Sequence, residues 1–337
     1  MKNINTLGID LAKNVFQLHG TDAKGKCVLQ KRLSRDKLLE YLATLSPCLI
    51  GIEASTGAHY WAREFEKLGH TVKIMAPQFV KPYVKSNKND RNDACGIAEA
   101  VVRPAMKFVP IKNMAQQDML LSHRARELAV KQRTAQANQI RGLLLEYGTT
   151  LPKGIRHIKS LMTILENNQE KLSPKSQIIF KRLYEQFKIY DEQVKTYDKE
   201  IEHEAVQDIR CKEIMKIEGI GPLTASAAVA TIGDAKLFKN GREVSAWLGL
   251  VPKQHSSGNT IRLSGISKRG DQYVRKLFIH GARAAVKNCG KKTDKRSVWV
   301  NNKKQRSGYN VAAVALANKN ARIVWAMLAT GECYRNT

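Results

Sequence analysis

Thr6-Leu7-Gly8-Ile9-Asp10-Leu11-Ala12-Lys13-Asn14-Val15-Phe16-Gln17-Leu18-His19 reads as two short strands joined by a tight turn. The apolar run Leu7 to Ile9 delivers one carboxylate, Asp10, at its end. An acid there is costly unless something cationic binds it, and a divalent metal is the obvious candidate. A strand-end Asp also serves simply to cap a turn. The meaning of Asp10 therefore depends on acids elsewhere in the chain. Lys13 follows at once and is a candidate nucleic-acid contact.

Outward from this pair, Asp22-Ala-Lys-Gly25 is a turn signal and Cys27–Leu33 a third strand. Ser34 to Leu42 reads as a helix with Ser34 as its cap. Leu49 to Ile52 is a buried strand that ends on Glu53. Tyr60 to Leu68 is a helix closed by Gly69, and Thr71 to Met75 a fifth strand stopped by Pro77. The order β-β-β-α-β-α-β predicts a mixed sheet covered by helices. Beyond it, Lys85 to Asp93 is a polar patch that opens a helix, Ala94 to Val102. Asp90 and Asp93 are three apart and share one face of its first turn. The dipole favours acids there, so Asp90 as a plain cap is the simpler reading of that pair alone.

Residues 113–205 are helical in pattern. Phe180, Leu183, Phe187, Tyr190, Val194, Tyr197 and Ile201 step by three and four, a three-heptad seam with charges between. That predicts a coiled-coil arm that dimerises or folds back as a hairpin. Ile214 to Ile232 reads as helix, Gly219-Ile-Gly221, Pro222 and an Ala-rich helix, which is the pattern of a helix-hairpin-helix. Its glycines let backbone approach closely, and the following amides suit a phosphate. A loop then runs from Val251 through Ser256-Ser257-Gly258 to Arg262, followed by Ser264 to Gly270 and a basic helix from Gln272. Arg262, Lys268 and Arg269 are candidate phosphate clamps. A serine hydroxyl beside them is a candidate nucleophile once activated.

Charge limits the function classes. Fifty-seven Lys and Arg against 30 Asp and Glu give +27, and residues 251–337 hold 18 basic and three acidic residues. This is the electrostatic footprint of a nucleic-acid binder. It fits poorly with a sugar-kinase or actin-like ATPase, which also opens on a Gly-x-Asp strand but needs a second Gly-rich phosphate hairpin. At 337 residues there is room for two or three domains. No run is long enough to span a membrane. The N-terminus leads into a strand rather than a signal segment. Six scattered cysteines without a CxxC pair suit a reducing cytoplasm.

Taken together, Asp10, Glu53, Asp90 and Asp93 have a common logic. Two end neighbouring strands if the sheet is ordered as in a ribonuclease-H fold, and two lie on a helix that crosses those ends. Four like charges repel unless cations bind among them. Hard oxygen ligands select Mg2+, with Mn2+ possible. Two such ions would stabilise phosphoryl transfer. The fold expected is thus a ribonuclease-H-like mixed sheet, a helical arm, and a mainly helical C-terminal domain.

The sequence resembles the DEDD-type insertion-sequence transposases. The resemblance rests on Gly8-Ile-Asp10-Leu-Ala-Lys13, Glu53-Ala-Ser-Thr-Gly57, Lys88-Asn-Asp90-Arg-Asn-Asp93-Ala94, Gly219-Ile-Gly-Pro222, Trp247-Leu-Gly-Leu-Val-Pro252, Ser256-Ser-Gly258 and Gly265-Ile-Ser-Lys-Arg-Gly270. It runs from about residue 5 to 330. It implies a RuvC-like catalytic domain over 1–150, a coiled-coil arm over 151–208 and a serine-bearing transposase domain over 209–330. It implies Mg2+ on the four acids and a covalent phosphoserine. Ser257 is the residue chosen, since the pattern centres on Ser-Gly, with Ser256 second. It further implies DNA element ends and target as substrates, a structured bridge RNA as guide, and a homo-oligomer, a dimer or dimer of dimers. Each active site would be shared between the RuvC-like domain of one subunit and the serine domain of another. A cytoplasmic, nucleoid-associated bacterial protein is expected. The alternative is a junction resolvase that uses the four acids only.

Overall fold

A computed structural model describes residues 3–85, 89–258 and 260–335, with the side chain of Lys291 outside the description. Lys88 of the Lys-Asn-Asp motif therefore lies outside the described residues, as do Ser86 and Asn87 of the polar patch. The chain divides into two compact units, Met1–Met114 and Ala115–Thr337.

The first unit runs β1 (Thr6–Leu11), β2 (Val15–Thr21), β3 (Cys27–Ser34), α1 (Lys37–Ala43), β4 (Leu49–Glu53), α2 (Ala58–Lys67), β5 (Thr71–Met75), α3 (Pro77–Val80), α4 (Asp90–Val101) and β6 (Phe108–Val109). The sheet order is β3-β2-β1-β4-β5-β6. β1, β2 and β3 form the expected antiparallel meander, β1, β4 and β5 are parallel, and β6 returns antiparallel on β5. This mixed α/β arrangement is consistent with a ribonuclease-H-like fold. Two local expectations change. Ser34 extends β3 instead of capping the helix, and α1 opens after Asp36. The two-residue edge strand β6 is too short to leave a pattern in sequence.

Alternation along the strands explains the layers. Leu7, Ile9, Ile50 and Ile52 are fully buried among residues of α1 and α2, including Leu38, Leu42, Trp61 and Phe65. Each such side chain contributes about 2 kcal/mol. The even-numbered positions of β1, Gly8 and Asp10, point to the other face, which α4 covers. A Cβ built on Gly8 would lie 2.2 Å from the carbonyl oxygen of Ala94, and one on Gly51 would lie 2.8 Å from Val101 Cβ. The two glycines are register partners. Their bare backbones let α4 lie directly on β1 and β4.

The second unit contains α5 (Met114–Leu145), α6 (Leu161–Glu166), α7 (Pro174–Gln207), α8 (Ile209–Met215), α9 (Pro222–Ile232), α10 (Gly241–Trp247), β7 (Pro252–Gln254), β8 (Leu263–Ile266), α11 (Gln272–Asn288), α12 (Lys295–Ser307) and α13 (Tyr309–Thr330). The expected first domain, 1–150, thus meets a boundary in the structure: the sheet unit closes at Met114, and α5 packs with the later helix α7. Arg126 binds Asp198 at 2.5 Å and Arg133 binds Asp191 at 2.9 Å, while Tyr147 meets the Phe180 ring at 5.8 Å. Numbers rising on α5 as they fall on α7 make the pair antiparallel. Of the heptad seam, Phe180, Phe187, Val194 and Ile201 are buried inside this one chain. Ala-rich α9 is buried from Thr224 to Ile232 and lies at the centre of the C-terminal helices.

A polar link ties α5 to this bundle. His123, 1% exposed, lies 2.9 Å from Tyr273 Oη and 3.0 Å from Ser226 Oγ. The Ser226 hydroxyl donates to the carbonyl of Pro222 at 2.7 Å, so it accepts from His123 Nε2–H, and Nδ1 accepts from Tyr273. The ring is therefore neutral. Burial first, and Arg126 second, lower its pKa to about 4. Because the folded state resists a proton that the unfolded state takes near pH 6.5, stability is full above 6.5 and falls as pH drops toward 4. The expected loss is about 3 kcal/mol. Urea unfolding at several pH values should show a flatter slope in this window for His123→Gln.

Candidate active site

Asp10 stands at the end of β1, half-buried. Asp90 and Asp93 lie in the first turn of α4, and their ligand oxygens and that of Asp10 lie within 4.8 Å of one another. The geometry follows from Gly8. Gly8 and Asp10 share a face, α4 rests its Ala94 and Ala98 on Gly8, and Asp90 is one helical turn before Ala94. Closeness of helix to strand is thus what carries the two helix acids to the strand acid. The cap of α4 is Asn89, whose Oδ1 accepts from the amide of Asn92 at 2.8 Å. Asp90 is therefore not the cap that its position in sequence suggested.

Glu53 ends β4 in the register step after the pair Ile9 and Ile52, beside Asp10. Its relation to Gly51 repeats that of Asp10 to Gly8. Its carboxylate is nevertheless outside the group of three. The grouped donors are hard carboxylate oxygens, which fit a divalent cation of the Mg2+ or Mn2+ type and not a soft metal. Lys13 is exposed in the turn between β1 and β2. One neighbour was not anticipated. His19 pairs with Gly8 on β2, is 7% exposed, and its Nδ1 has no hydrogen-bond partner among the described residues. Burial, then Arg91, lower its pKa. Only the register shows that it shares the α4 face.

The serine candidates belong to the second unit. β7 and β8 make a short ribbon, and His255 N–H donates to Arg262 O at 3.0 Å to extend it. Ser257 bridges Thr260 at the tip, and Gly258 there has φ +54, a conformation that favours glycine. Ser257 is exposed, and its hydroxyl has no hydrogen-bond partner among the described residues. The hydroxyl of Ser256 accepts from Gln254 Nε2 at 3.0 Å. Arg262 is exposed on the same ribbon.

Lys268 and Arg269 lie just past β8, where backbone is clamped tightly. Arg275, 8% exposed, donates to Leu248 O at 3.1 Å and to Arg269 O at 2.8 Å. A Cβ on Gly270 would lie 1.9 Å from Trp247 O. Lys268 has φ +55, uncommon for a residue with a Cβ. The Trp-Leu-Gly-Leu-Val-Pro and Gly-Ile-Ser-Lys-Arg-Gly stretches thus form one braced loop pair, which leaves both basic side chains exposed.

The two hairpin glycines have different surroundings. Gly219, φ +85, is pressed against Gly281 of α11: a Cβ on Gly281 would lie 1.9 Å from Gly219 O. Glu218 O there accepts from Arg296 and, at 3.1 Å, from Asn320 Nδ2. Gly219 is thus accounted for by helix packing, whereas a Cβ on Gly221 meets nothing within 4 Å. Gly281→Ala is expected to cost about 1–3 kcal/mol through overpacking, read as a lower denaturant midpoint.

Comparison with known proteins settles the family. The model DEDD_Tnp_IS110, described as Transposase, matches residues 7–149, and the model Transposase IS116/IS110/IS902 family matches residues 211–297. A probable family 20 transposase of Pseudomonas aeruginosa is 45% identical over 99% of both chains. The transposase for insertion sequence element IS1111A of Coxiella burnetii is 45% identical, over 99% of this chain and 92% of its own. That for IS1328 of Yersinia enterocolitica is 40% identical over 99% of both.

The chain belongs to the IS110 family of DEDD transposases. In this transposase the first family match runs past the sheet unit through α5, and the second covers α9 to α11 with the Ser257 ribbon. No described helix is long and apolar enough to cross a membrane.

Proposed function

We propose that this transposase cuts and rejoins DNA at the ends of an insertion sequence and at its target, with the acids holding Mg2+ and Ser257 as nucleophile. The approach of Asp10, Asp90 and Asp93 to within 4.8 Å carries the reading. A bound divalent ion supplies stabilisation of the charge that develops on the transferring phosphate. The carboxylates of Asp10, Asp90 and Asp93 would hold that ion, with Glu53 at the neighbouring strand end as the fourth acid of the set. Ser257 Oγ forms a bond to phosphorus as the P–O bond to the leaving sugar breaks; the serine proton passes to solvent, and the leaving oxygen takes a proton from solvent to depart as a hydroxyl. The adduct conserves the phosphodiester energy for rejoining. Exposure of the Ser257 hydroxyl and engagement of that of Ser256 support the choice between them. Arg262, Lys268, Arg269, Lys13 and the Leu223 amide contact phosphates; the amides of Thr224 and Ala225 already donate to Gly221 O.

The family resemblance and the +27 balance support a structured bridge RNA as guide, since cradling two nucleic acids takes many phosphate contacts. Self-association is part of the proposal. Leu121 and Leu128, seven apart on α5, are 66% and 56% exposed and leave an apolar face for another subunit. The test is a cleavage reaction on labelled element-end DNA with guide RNA and Mg2+, stopped in denaturant. A protein–DNA adduct that survives denaturation is expected. Recombination without any adduct would remove the serine mechanism and leave an acids-only resolvase.

A further inference from the structure

On the second unit, the N-terminal end of α10 meets the outer face of α13 around a hollow of about 530 Å3. Asn240, Arg242, Lys319, Arg322, Ile323 and Trp325 line it, and no acid does. A second hollow of about 340 Å3 shares Lys319, Ile323 and Ala326 and continues along α13 toward Arg335, with Glu332 as its one acid. The two form a trough. Arg242 and Arg322 are exposed and have no ion-pair partner among the described residues. Lys319 and Arg322 are three apart, so their charges stand side by side on one helix face. Lys319 Nζ also lies 4.9 Å over the ring of Trp299, which is 37% exposed on α12.

The floor is rigid. A Cβ on Gly241 would be 3.0 Å from the backbone of Arg322, so α10 and α13 touch there. The Trp325 indole N–H donates to Ala235 O at 3.0 Å. A trough with a basic rim, an apolar floor and an exposed indole at its edge has the components that hold a single strand: cations for the backbone and an aromatic face for a base. None of its residues belongs to the acidic group or to the Ser257 ribbon.

We infer that the trough between α10 and α13 is a separate docking groove for a single-stranded stretch of nucleic acid, held by Arg242, Lys319 and Arg322 on phosphates and Trp299 on a base. The choice of a strand as occupant rests on the proposed function; the trough itself does not. Two sources share this chemistry, a displaced DNA strand and an unpaired RNA segment.

The probes are fluorescein-labelled oligothymidylate and oligouridylate of about twelve nucleotides, a length within the usual site size. Binding is followed by anisotropy across a salt series in EDTA, so the acids take no part. For the triple variant Arg242→Gln, Lys319→Gln, Arg322→Gln, affinity should fall at least about tenfold and the slope of log affinity against log salt should shrink by about 2. Trp299→Leu should weaken binding about tenfold without changing that slope. Loss confined to one oligonucleotide supports the groove and identifies its source. A control variant, Lys24→Gln, Lys26→Gln, Lys37→Gln, removes the same charge from exposed sites on the first unit and should lose little. Unchanged slope in the groove variant, or an equal loss in the control, overturns the inference. Circular dichroism confirms that the variants are folded. A groove variant that binds normally, beside an Asp10→Asn protein that no longer cuts, would remove this inference and leave the proposed function standing.

Discussion

Asp10→Asn is expected to lower strand cleavage and transfer about a thousandfold, while binding of element DNA stays within about threefold. The change keeps the side chain's size and removes one hard anionic ligand from a group of three within 4.8 Å. Loss of a transition-state interaction worth several kcal/mol corresponds to about three decades in rate. Asp90→Asn and Asp93→Asn should match it, since each of the three places an oxygen within 4.8 Å of the other two. Glu53→Gln is the informative fourth case. Its carboxylate stands outside the group, so a loss as large as that of Asp10→Asn would mean that it swings in during turnover. Gel assays of cleavage with Mg2+, Mn2+ and EDTA read all four. An Asp10→Asn protein with more than about a tenth of wild-type activity would end the metal-site reading.

Ser257→Ala is the second large effect. It should abolish the denaturant-stable adduct and reduce strand transfer about ten-thousandfold, because no other oxygen replaces the attacking hydroxyl. Ser256→Ala should keep the adduct at near-normal levels, since the Ser256 hydroxyl is already engaged by Gln254. Metal binding followed by calorimetry should be unaffected in Ser257→Ala, because the acids lie in the other compact unit. Adduct formation by Ser257→Ala, abolished instead in Ser256→Ala, would reassign the nucleophile.

The acids and strands were legible because their signals are local. The run before Asp10 and that before Glu53 each show a buried strand ending on an acid, and Asp90 and Asp93 sit one turn apart before an apolar helix. Gly8 was legible only as part of a motif; its physical role is to leave room for α4, since a Cβ there would lie 2.2 Å from Ala94 O, which no pattern on β1 alone displays. The same holds for Gly281, an ordinary glycine inside a basic helix until Gly219 O is found against it. His19 and His123 each look like ordinary polar residues in their own segments. One acquires an orphaned nitrogen from burial, and the other a three-part hydrogen-bond link across 150 residues of sequence.

The sequence by itself determined the alternation of strands and helices through β5, the family, the basic balance and the candidate acids, because periodicity, turn chemistry and composition act over a few residues. The tertiary structure decided which of those groups meet. It placed Asp10 with Asp90 and Asp93 and left the Glu53 carboxylate outside their group. It turned the heptad seam of α7 inward, used Gly219 for helix packing, and opened a basic trough beside α13. Each outcome depends on which faces pack together. That is settled by steric fit between segments far apart in the chain, and no local pattern records it.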